Sequence, residues 1–171
     1  MSELTIRAMT VDDQDAVIAI YQEGVETGHA TFAESAGDWQ DWDEGHIADC
    51  RLVAELDGKV VGWAGLSATS SRCVYRGVAE VSVYVAAEAR GKGGGRALLS
   101  ALIKYSEKEC IWTLTAGIFP ENVGSIKLHA ALGFKILGTR EKLGKMTHGP
   151  MAGLWRDVSY LERRSSVAGK D

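Results

Sequence analysis

The sequence predicts a mixed α/β (α+β) fold in which one central sheet carries helices on both faces. Helical and strand patterns are mixed along the chain, in the order β-α-(α)-β-β-β-α-β-α-β-β. The pair Asp57-Gly58 separates two apolar, valine-bearing runs and indicates a β-hairpin, because this pair readily takes positive φ at both turn positions. A chain of 171 residues has the size of one domain with its own core. We therefore expect a single domain over residues 1–164.

One longer helix, one short helix and four strands are expected in the N-terminal half. The run Thr10-Val11-Asp12-Asp13 predicts a capping box that opens a helix, whose apolar face carries residues at helical spacing between positions 16 and 21. Residues 27–50, which include Trp39 and Trp42, predict a loop with one short helix, in which the two indoles pack rather than serve as stacking platforms. The strands are expected over residues 4–9, 51–56, 59–66 and 78–86.

Two helices and three strands are expected in the C-terminal half. Pro120 ends one strand, and the helix that follows has a good N-cap in Asn122 and a good stop in Gly133. The helices are expected over residues 93–107 and 123–132, and the strands over 112–119, 134–140 and 154–161. Residues 165–171 predict a flexible, frayed tail.

The composition argues against several classes of function. The formal net charge is −4 and no long basic run is present, so we expect no nucleic-acid partner, since phosphate binding needs a basic face. No apolar stretch approaches the roughly 18 residues that span a bilayer, and the N-terminus has no signal pattern. We therefore expect no membrane partner and a cytoplasmic protein. The cysteines and histidines show no metal-ligand spacing, so we predict no metal.

The most informative segment is a glycine-rich loop between a predicted strand and a predicted helix. It reads Arg90-Gly91-Lys92-Gly93-Gly94-Gly95-Arg96. Glycines let a ligand approach the backbone, and the free N–H groups and dipole of a helix start favour an anion. Arg90, Lys92 and Arg96 add positive charge. The segment therefore predicts a pyrophosphate-binding loop.

Neither of the common nucleotide motifs fits this loop. A dinucleotide fold requires Gly-x-Gly-x-x-Gly, but Arg96 occupies the third glycine position when Gly91 and Gly93 are the first two. A P-loop requires Gly-Lys-Ser/Thr, whereas Gly93 follows Lys92 here. A plain glycine-rich connection remains an alternative.

The loop resembles motif A of the GCN5-related N-acetyltransferase superfamily, Arg/Gln-x-x-Gly-x-Gly/Ala. A second segment is similar to that superfamily's Asn-x-x-Ala/Ser…Gly-Phe pattern, with Asn122-Val123-Gly124-Ser125 followed by Gly133-Phe134. The likeness covers nearly the whole chain. Tyr75, the strand at 80–85, Leu128-His129 and Trp155-x-Asp157 resemble the phosphinothricin N-acetyltransferase branch, and residues 149–164 are similar to the arsinothricin N-acetyltransferases within it.

This resemblance implies a mostly antiparallel sheet of about seven strands and an enzyme that uses acetyl-CoA. The implied acceptor is the α-amino group of a small amino-acid-like toxin of the phosphinothricin, methionine sulfoximine or arsinothricin type, which attacks the thioester directly. A homodimer is also implied. The cofactor-binding residues are then expected to be Val83, Tyr84, Val85, Arg90, Gly91, Lys92, Gly93, Gly94, Gly95, Arg96, Asn122 and Ser125. The backbone N–H groups of residues 83–85 are the expected oxyanion donors, and a simple helix-capping role for Asn122 remains open.

Glu80 is the candidate general base. Side chains alternate along a strand, so Glu80, Ser82 and Tyr84 are expected on one face and the valines between them on the other. An acidic residue in an otherwise apolar strand is costly to bury unless it has a role, and partial burial raises its pKa toward a useful range. A solvated carboxylate is an equal alternative from spacing alone, and the resemblance favours the base.

His129 is the second candidate catalytic residue. A lone helical histidine is more often a bystander, but its place in the matched pattern favours a proton-handling or substrate-orienting role. Many members of the superfamily carry tyrosine here, so their tyrosine general acid is not carried over to this chain.

Four residues are candidates for binding the acceptor. Arg72 can grip a carboxylate bidentately, Tyr75 can supply a hydroxyl, and Thr31 and Phe32 lie in the segment that covers the acceptor in the family. A solvated loop arginine is the alternative for Arg72. For the whole chain, a protein or peptide lysine acetyltransferase, a non-catalytic CoA-binding module and a nucleotide-binding protein with a degenerate loop remain open.

Overall fold

A computed structural model describes residues 3–170, which fold around a seven-stranded mixed sheet. The strands are β1 (Leu4–Ala8), β2 (Leu52–Leu56), β3 (Lys59–Ala68), β4 (Val78–Val85), β5 (Thr113–Ile118), β6 (Lys135–Lys145) and β7 (Trp155–Arg164). Their order across the sheet is β1-β2-β3-β4-β5-β7-β6. Within these residues β4 and β5 form the one parallel pair, and the other neighbours are antiparallel. The predicted fold class and strand number are confirmed.

Helices cover both faces of the sheet, as predicted. Within residues 3–170 they are α1 (Gln14–Glu26), α2 (Trp39–Gly45), α3 (Gly94–Lys108) and α4 (Val123–Ala131). On one face, α1 and α2 bury Val17 and Trp42 against Trp63 of the sheet. On the other face, α3 buries Leu98 and Leu102, and α4 packs beside it. No helix in this part of the chain is long and apolar enough to cross a membrane.

Several predicted boundaries change because of contacts between distant residues. Thr10 and Asp13 do form a capping box, which opens a short 3-10 turn that leads into α1. The strands β6 and β7 extend to Lys145 and Arg164, beyond the predicted ends at 140 and 161. They extend because they pair as one long hairpin that tolerates irregular register near Gly138 and Gly144.

Residues 165–170, for which the sequence predicts a frayed tail, make hydrogen bonds to the end of β7 and to α3. The Ser165 side chain donates to Glu107 at 2.9 Å and accepts the N–H groups of Val167 and Ala168, each at 3.0 Å. Arg164 donates to the Ala168 carbonyl at 2.9 Å. These partners satisfy the backbone of the tail and hold it in place.

Candidate active site

A gap opens between β4 and β5 in the middle of the sheet. The two strands pair at Val78–Thr113, Ala79–Leu114 and Glu80–Thr115, and their register ends there. On its other side β4 stays paired with β3 as far as Val85. Strands that diverge in this way leave backbone N–H and C=O groups along the gap without a ladder partner.

The register of β4 shows which of its backbone groups face the gap. The N–H of Ala86 donates to the Val61 carbonyl at 2.8 Å, on the β3 side. Because backbone groups alternate in direction along a strand, the N–H of Tyr84 also points to β3. The N–H groups of Val83 and Val85 therefore point into the gap, where an extended ligand or a developing oxyanion would meet them. The prediction of a Tyr84 backbone contact with the cofactor does not fit this register.

The Tyr84 side chain instead connects the sheet to α1. Its ring stacks on Trp63 with centroids 4.9 Å apart and meets Tyr21 edge-on at 5.0 Å. A Cβ on Gly24 would lie 2.6 Å from the ring, so the close approach of α1 requires glycine there. Burial raises the pKa of Tyr84, and its hydroxyl interacts with Thr31.

The glycine loop fits a polyanion such as the pyrophosphate of acetyl-CoA. Gly91 and Gly93 have φ of 76° and 86°, and Gly93 is the N-cap of α3. A Cβ on either glycine would meet no heavy atom within 4 Å, so this part of the loop is open. Arg90, Lys92 and Arg96 are exposed around it. The first N–H groups of α3, a helix of 15 residues, are thus available to an anion.

Glu80 lies where β4 and β5 begin to diverge, between Ser67 of β3 and Thr115 of β5. It shares the α1 face of the sheet with Tyr84, since side chains alternate along β4. The residue is exposed at the surface, yet the surrounding protein desolvates the carboxyl group and raises the pKa of Glu80 above its ordinary value. A carboxylate with a raised pKa at the edge of a cleft can accept a proton from an amine.

His129 is buried on α4 and is oriented by its own helix. Its Nδ1 lies 2.7 Å from the Ser125 carbonyl, which can only accept, so Nδ1 carries the proton and the Nε2 of the neutral ring has the lone pair. Burial lowers the pKa of His129, so the ring is neutral at pH 7. Phe134 contacts the ring edge-on at 5.0 Å. The neutral ring can accept a proton at Nε2 but has none to give from that atom.

Asn122 and Ser125 serve the start of α4. The Asn122 Oδ1 accepts the Ser125 N–H at 3.3 Å, which is the helix cap that the sequence left open. The Asn122 Nδ2 reaches the His29 carbonyl at 3.5 Å. The Ser125 hydroxyl lies 3.4 Å from the His129 Nδ1. In the structure these two residues order α4 and connect it to the chain that follows α1.

Residues 27–32, the bridging segment, cross the gap on the α1 face. On the β4 side of the gap, Thr31 lies close to the Tyr84 hydroxyl. On the β5 side, the ring of the next residue, Phe32, meets the ring of Phe119, which directly follows β5, at 5.0 Å. Thr31 and Phe32 are therefore held over the gap, next to the strand that bears Glu80.

Arg72 and Tyr75 lie in the connection between β3 and β4, at the end of β4 where Glu80 is found. Both are exposed, and the Arg72 guanidinium lies 5.9 Å from the centre of the Tyr75 ring. The structure shows no contact, within residues 3–170, that brings them onto the bridging segment.

Sequence reasoning missed one buried polar residue near the site, Arg156 of β7. It donates to the Gly28 carbonyl of the bridging segment at 2.8 Å. The alternation of β7 could have revealed it, since Arg156 has the same parity as the buried Val158.

The comparisons with known proteins identify the family of the chain. Residues 12–134 match the family described as the acetyltransferase (GNAT) family. The chain is 36% identical over 169 residues to the phosphinothricin N-acetyltransferase of Alcaligenes faecalis, covering 93% of this chain and 81% of that protein. It is 30% identical over 164 residues to the L-methionine sulfoximine/L-methionine sulfone acetyltransferase of Pseudomonas aeruginosa, covering 92% of each.

A solved structure shows the same fold. The GNAT superfamily phosphinothricin acetyltransferase of Sinorhizobium meliloti, in complex with AcCoA, gives a TM-score of 0.85 at 31% identity and covers 98% of this chain and 91% of that one. The fold and the site thus define an acetyl-CoA-dependent N-acetyltransferase. The chain belongs to the acetyltransferase (GNAT) family, and its cosubstrate is acetyl-CoA. The homodimer and the cytoplasmic location stay predictions.

Proposed function

We propose that this enzyme acetylates the α-amino group of a small amino acid whose side chain ends in a tetrahedral, oxygen-bearing centre. Phosphinothricin, methionine sulfoximine and arsinothricin have this chemistry. The observation that carries the proposal is the gap between β4 and β5, which has Glu80 at its closed end and the bridging segment across it. The similarity to proteins named for phosphinothricin and methionine sulfoximine supports the same class of acceptor.

Glu80 acts as the general base in this proposal. At neutral pH an α-amino group is largely protonated, and only the neutral amine can attack the thioester. Glu80 accepts that proton, directly or through a water, which its raised pKa favours. A bond then forms between the amine nitrogen and the acetyl carbon, and the carbon–sulfur bond breaks. The nitrogen loses a second proton as the amide forms, and the leaving thiolate takes up one proton, directly or through a water, to give the thiol. The N–H groups of Val83 and Val85 stabilise negative charge on the acetyl oxygen.

His129 has an accepting role in this scheme. Its neutral ring presents a lone pair at Nε2, so it orients a donor or accepts a proton rather than protonating the leaving thiol. This assignment narrows the proton-handling role that the sequence predicts.

Steady-state kinetics with the three amino acids and a lysine peptide test the acceptor class. We expect faster acetylation of at least one of the amino acids than of the peptide. Arg72, which is exposed in the connection that leads into the strand bearing Glu80, is assigned to an anionic group of the acceptor. Arg72→Ala should therefore raise the acceptor KM and leave the acetyl-CoA KM nearly unchanged, because loss of such a contact costs roughly 2–5 kcal/mol, or tens- to thousands-fold in kcat/KM.

Lys108→Ala is the matched control, since Lys108 is also a cation over a tyrosine ring, at the far end of α3. It should leave both KM values unchanged. Faster acetylation of the peptide, or no activity on any of the three amino acids, would show that the proposed acceptor class is wrong.

A further inference from the structure

Arg156 is a buried charge with incomplete hydrogen bonding. The residue is 1% exposed and lies near the start of β7, on the same face of the strand as the buried Val158. Its Nη1 donates to the Gly28 carbonyl at 2.8 Å, and its Nη2 lies 3.5 Å from a carboxylate oxygen of Glu121. Among residues 3–170, its Nε and Nη2 have no hydrogen-bond partner. The guanidinium carbon lies 3.9 Å from the centre of the Phe119 ring.

Burying such an arginine lowers the stability of the folded state. Arginine is almost never fully buried unless it is paired, and its one ion-pair partner, Glu121, is half exposed and lies 3.5 Å away, beyond a close hydrogen bond. An apolar side chain of similar volume is often neutral or stabilising at a buried charged position. Stability alone therefore does not explain arginine here, and the groups that the guanidinium holds indicate what does.

Those groups belong to the bridging segment and to the end of α1. Arg156 holds the carbonyl of Gly28, and Asn122 reaches the carbonyl of His29 at 3.5 Å. His148 donates from Nε2 to the carbonyl of Val25 at 3.1 Å. Side chains from three separate parts of the chain thus fix the carbonyls around one turn.

The backbone at this turn has little freedom to move. Gly28 has a φ of 70°, and a Cβ there would lie 2.7 Å from the Pro150 ring. A Cβ on Gly149 would in turn lie 3.1 Å from the Gly28 Cα. The loop at 146–153 therefore packs directly against the start of the bridging segment.

Arg156 also fixes the other end of the segment. Its guanidinium lies over Phe119, and Phe119 contacts the edge of Phe32. The Phe32 ring fills the space over Gly144, where a Cβ would lie 2.9 Å from it. One side chain thus sets both the backbone of the segment at Gly28 and the aromatic ring at Phe32.

We propose that Arg156 is a positioning residue that determines acceptor specificity by holding residues 27–32 at a fixed distance across the gap. This proposal rests on the proposed function, in which Thr31 and Phe32 face the acceptor. Arg156 itself acts through the Gly28 carbonyl and the Phe119 ring, without touching the acceptor.

Two variants and a control test the proposal. Arg156→Met keeps the volume and removes the donors, and Arg156→Lys restores one donor without the planar guanidinium. Arg163→Met is the control, because Arg163 lies in the same strand but donates to Leu132 and Glu107, away from the gap. Hydrogen exchange of residues 24–33 reports the segment directly, and steady-state kinetics separate the KM of the acceptor from that of acetyl-CoA.

For Arg156→Met we expect faster exchange over residues 24–33 and an acceptor KM raised about tenfold or more, with the acetyl-CoA KM within about twofold, since a lost charged hydrogen bond is of this size. Arg156→Lys should show an exchange rate and an acceptor KM between those of Arg156→Met and the wild type. Arg163→Met should change neither readout.

Unchanged exchange in a folded Arg156→Met would overturn the proposal whatever the substrate is. Faster exchange with an unchanged acceptor KM would overturn the specificity role. If Arg156→Met does not fold, wild-type exchange and kinetics in Arg156→Lys would overturn the proposal in the same way. A wild-type enzyme that acetylates no amino acid would instead contradict the proposed function, while the exchange data still decide whether Arg156 holds the segment.

Discussion

Desolvation shifts the pKa values of the two candidate catalytic side chains in opposite directions. It raises the pKa of Glu80 and lowers the pKa of His129, because desolvation disfavours the charged form of each. The Glu80 carboxylate therefore accepts a proton more readily than usual, and the neutral His129 ring has its lone pair at Nε2. Both groups are proton acceptors, which suits the proposed deprotonation of an ammonium group.

Glu80→Gln should lower kcat by on the order of 10²-fold or more, with little change in acetyl-CoA affinity. A general base works only when it is deprotonated, so in the wild type kcat/KM should rise as the pH rises through the pKa of Glu80, which lies above the ordinary carboxyl value. This decrease of kcat/KM at low pH, the acid limb of the profile, should disappear in Glu80→Gln. Rates measured from pH 4.5 upward, a range of roughly the carboxyl pKa and above, check this.

Glu162→Gln is the matched comparison for this experiment. Glu162 pairs with Thr115, which also pairs with Glu80, so the two acids share one face of the sheet. We expect the Glu162 variant to keep the acid limb. If the acid limb disappears in Glu162→Gln and remains in Glu80→Gln, Glu162 is the base.

Residue patterns predict faces of a strand better than they predict backbone directions. Alternation along β4 correctly places Glu80 and Tyr84 on the face opposite the valines, which pack with α3. The direction of the Tyr84 N–H depends on which neighbouring strand pairs with it, and that neighbour, β3, precedes β4 by a separate loop. Arg156 was missed because its partners, Gly28 and Glu121, lie far from it in sequence.

At the scale of elements, the junction of β4 and α3 combines two requirements at one glycine. Gly93 must take a positive φ to begin α3, and it must leave the surface open for a ligand. Gly58 in the β2–β3 hairpin has a similar φ of 80° and an equally open Cβ position, but it lies away from the gap. The two glycines differ in location and not in backbone strain.

Gly93→Val should weaken acetyl-CoA binding by tenfold or more while the protein stays folded. A β-branched side chain at positive φ is strained by about 1–2 kcal/mol and would occupy the anion site. Gly58→Val should lose about as much stability as Gly93→Val and keep the wild-type affinity for acetyl-CoA. Calorimetric titration with acetyl-CoA beside thermal unfolding compares the two variants, and equal affinities would exclude the loop as the cofactor site.

The structure matches the predicted elements where neighbouring residues determine them, and it differs where contacts between distant residues determine them. Caps and turns such as the Asp57-Gly58 hairpin and the Asn122 cap are encoded by neighbouring residues, and the structure contains both. The length of β6 and the course of residues 27–32 depend on pairing with β7 and on contacts with Phe119, which no local pattern reports.

At the scale of the molecule, the C-terminal residues complete the packing around Trp112. A Cβ on Gly77 would lie 2.1 Å from the Trp112 ring, and one on Gly169 would lie 2.7 Å from its Cβ. The indole is therefore enclosed between the residue that precedes β4 and the tail. The hydrogen bond from Ser165 to Glu107 connects the tail to α3.

Deleting residues 165–171 should lower the free energy of unfolding by about 1–3 kcal/mol, because Trp112 becomes exposed and Glu107 loses a hydrogen bond. We expect kcat/KM to change little at permissive temperature, since the gap opens after Glu80 toward Val85, whereas the tail packs before the paired start of β4 and β5. Denaturant unfolding of this variant, beside one that lacks only residues 170–171, measures the effect. Equal stability of the two would show that the tail contributes nothing.

The divergence of β4 from β5 also has a consequence for stability, because a ligand bound in the gap would stabilise the folded sheet. A ligand that pairs with the N–H groups of Val83 and Val85 binds the native sheet and not the unfolded chain, so mass action adds its binding free energy to that of folding. At a concentration 100 times the dissociation constant, this addition is about 2.7 kcal/mol, or about a hundredfold fewer unfolded molecules for proteases to degrade. If acetyl-CoA pairs with these groups as proposed, we expect the enzyme to resist proteolysis better when acetyl-CoA, the compound that it consumes, is plentiful.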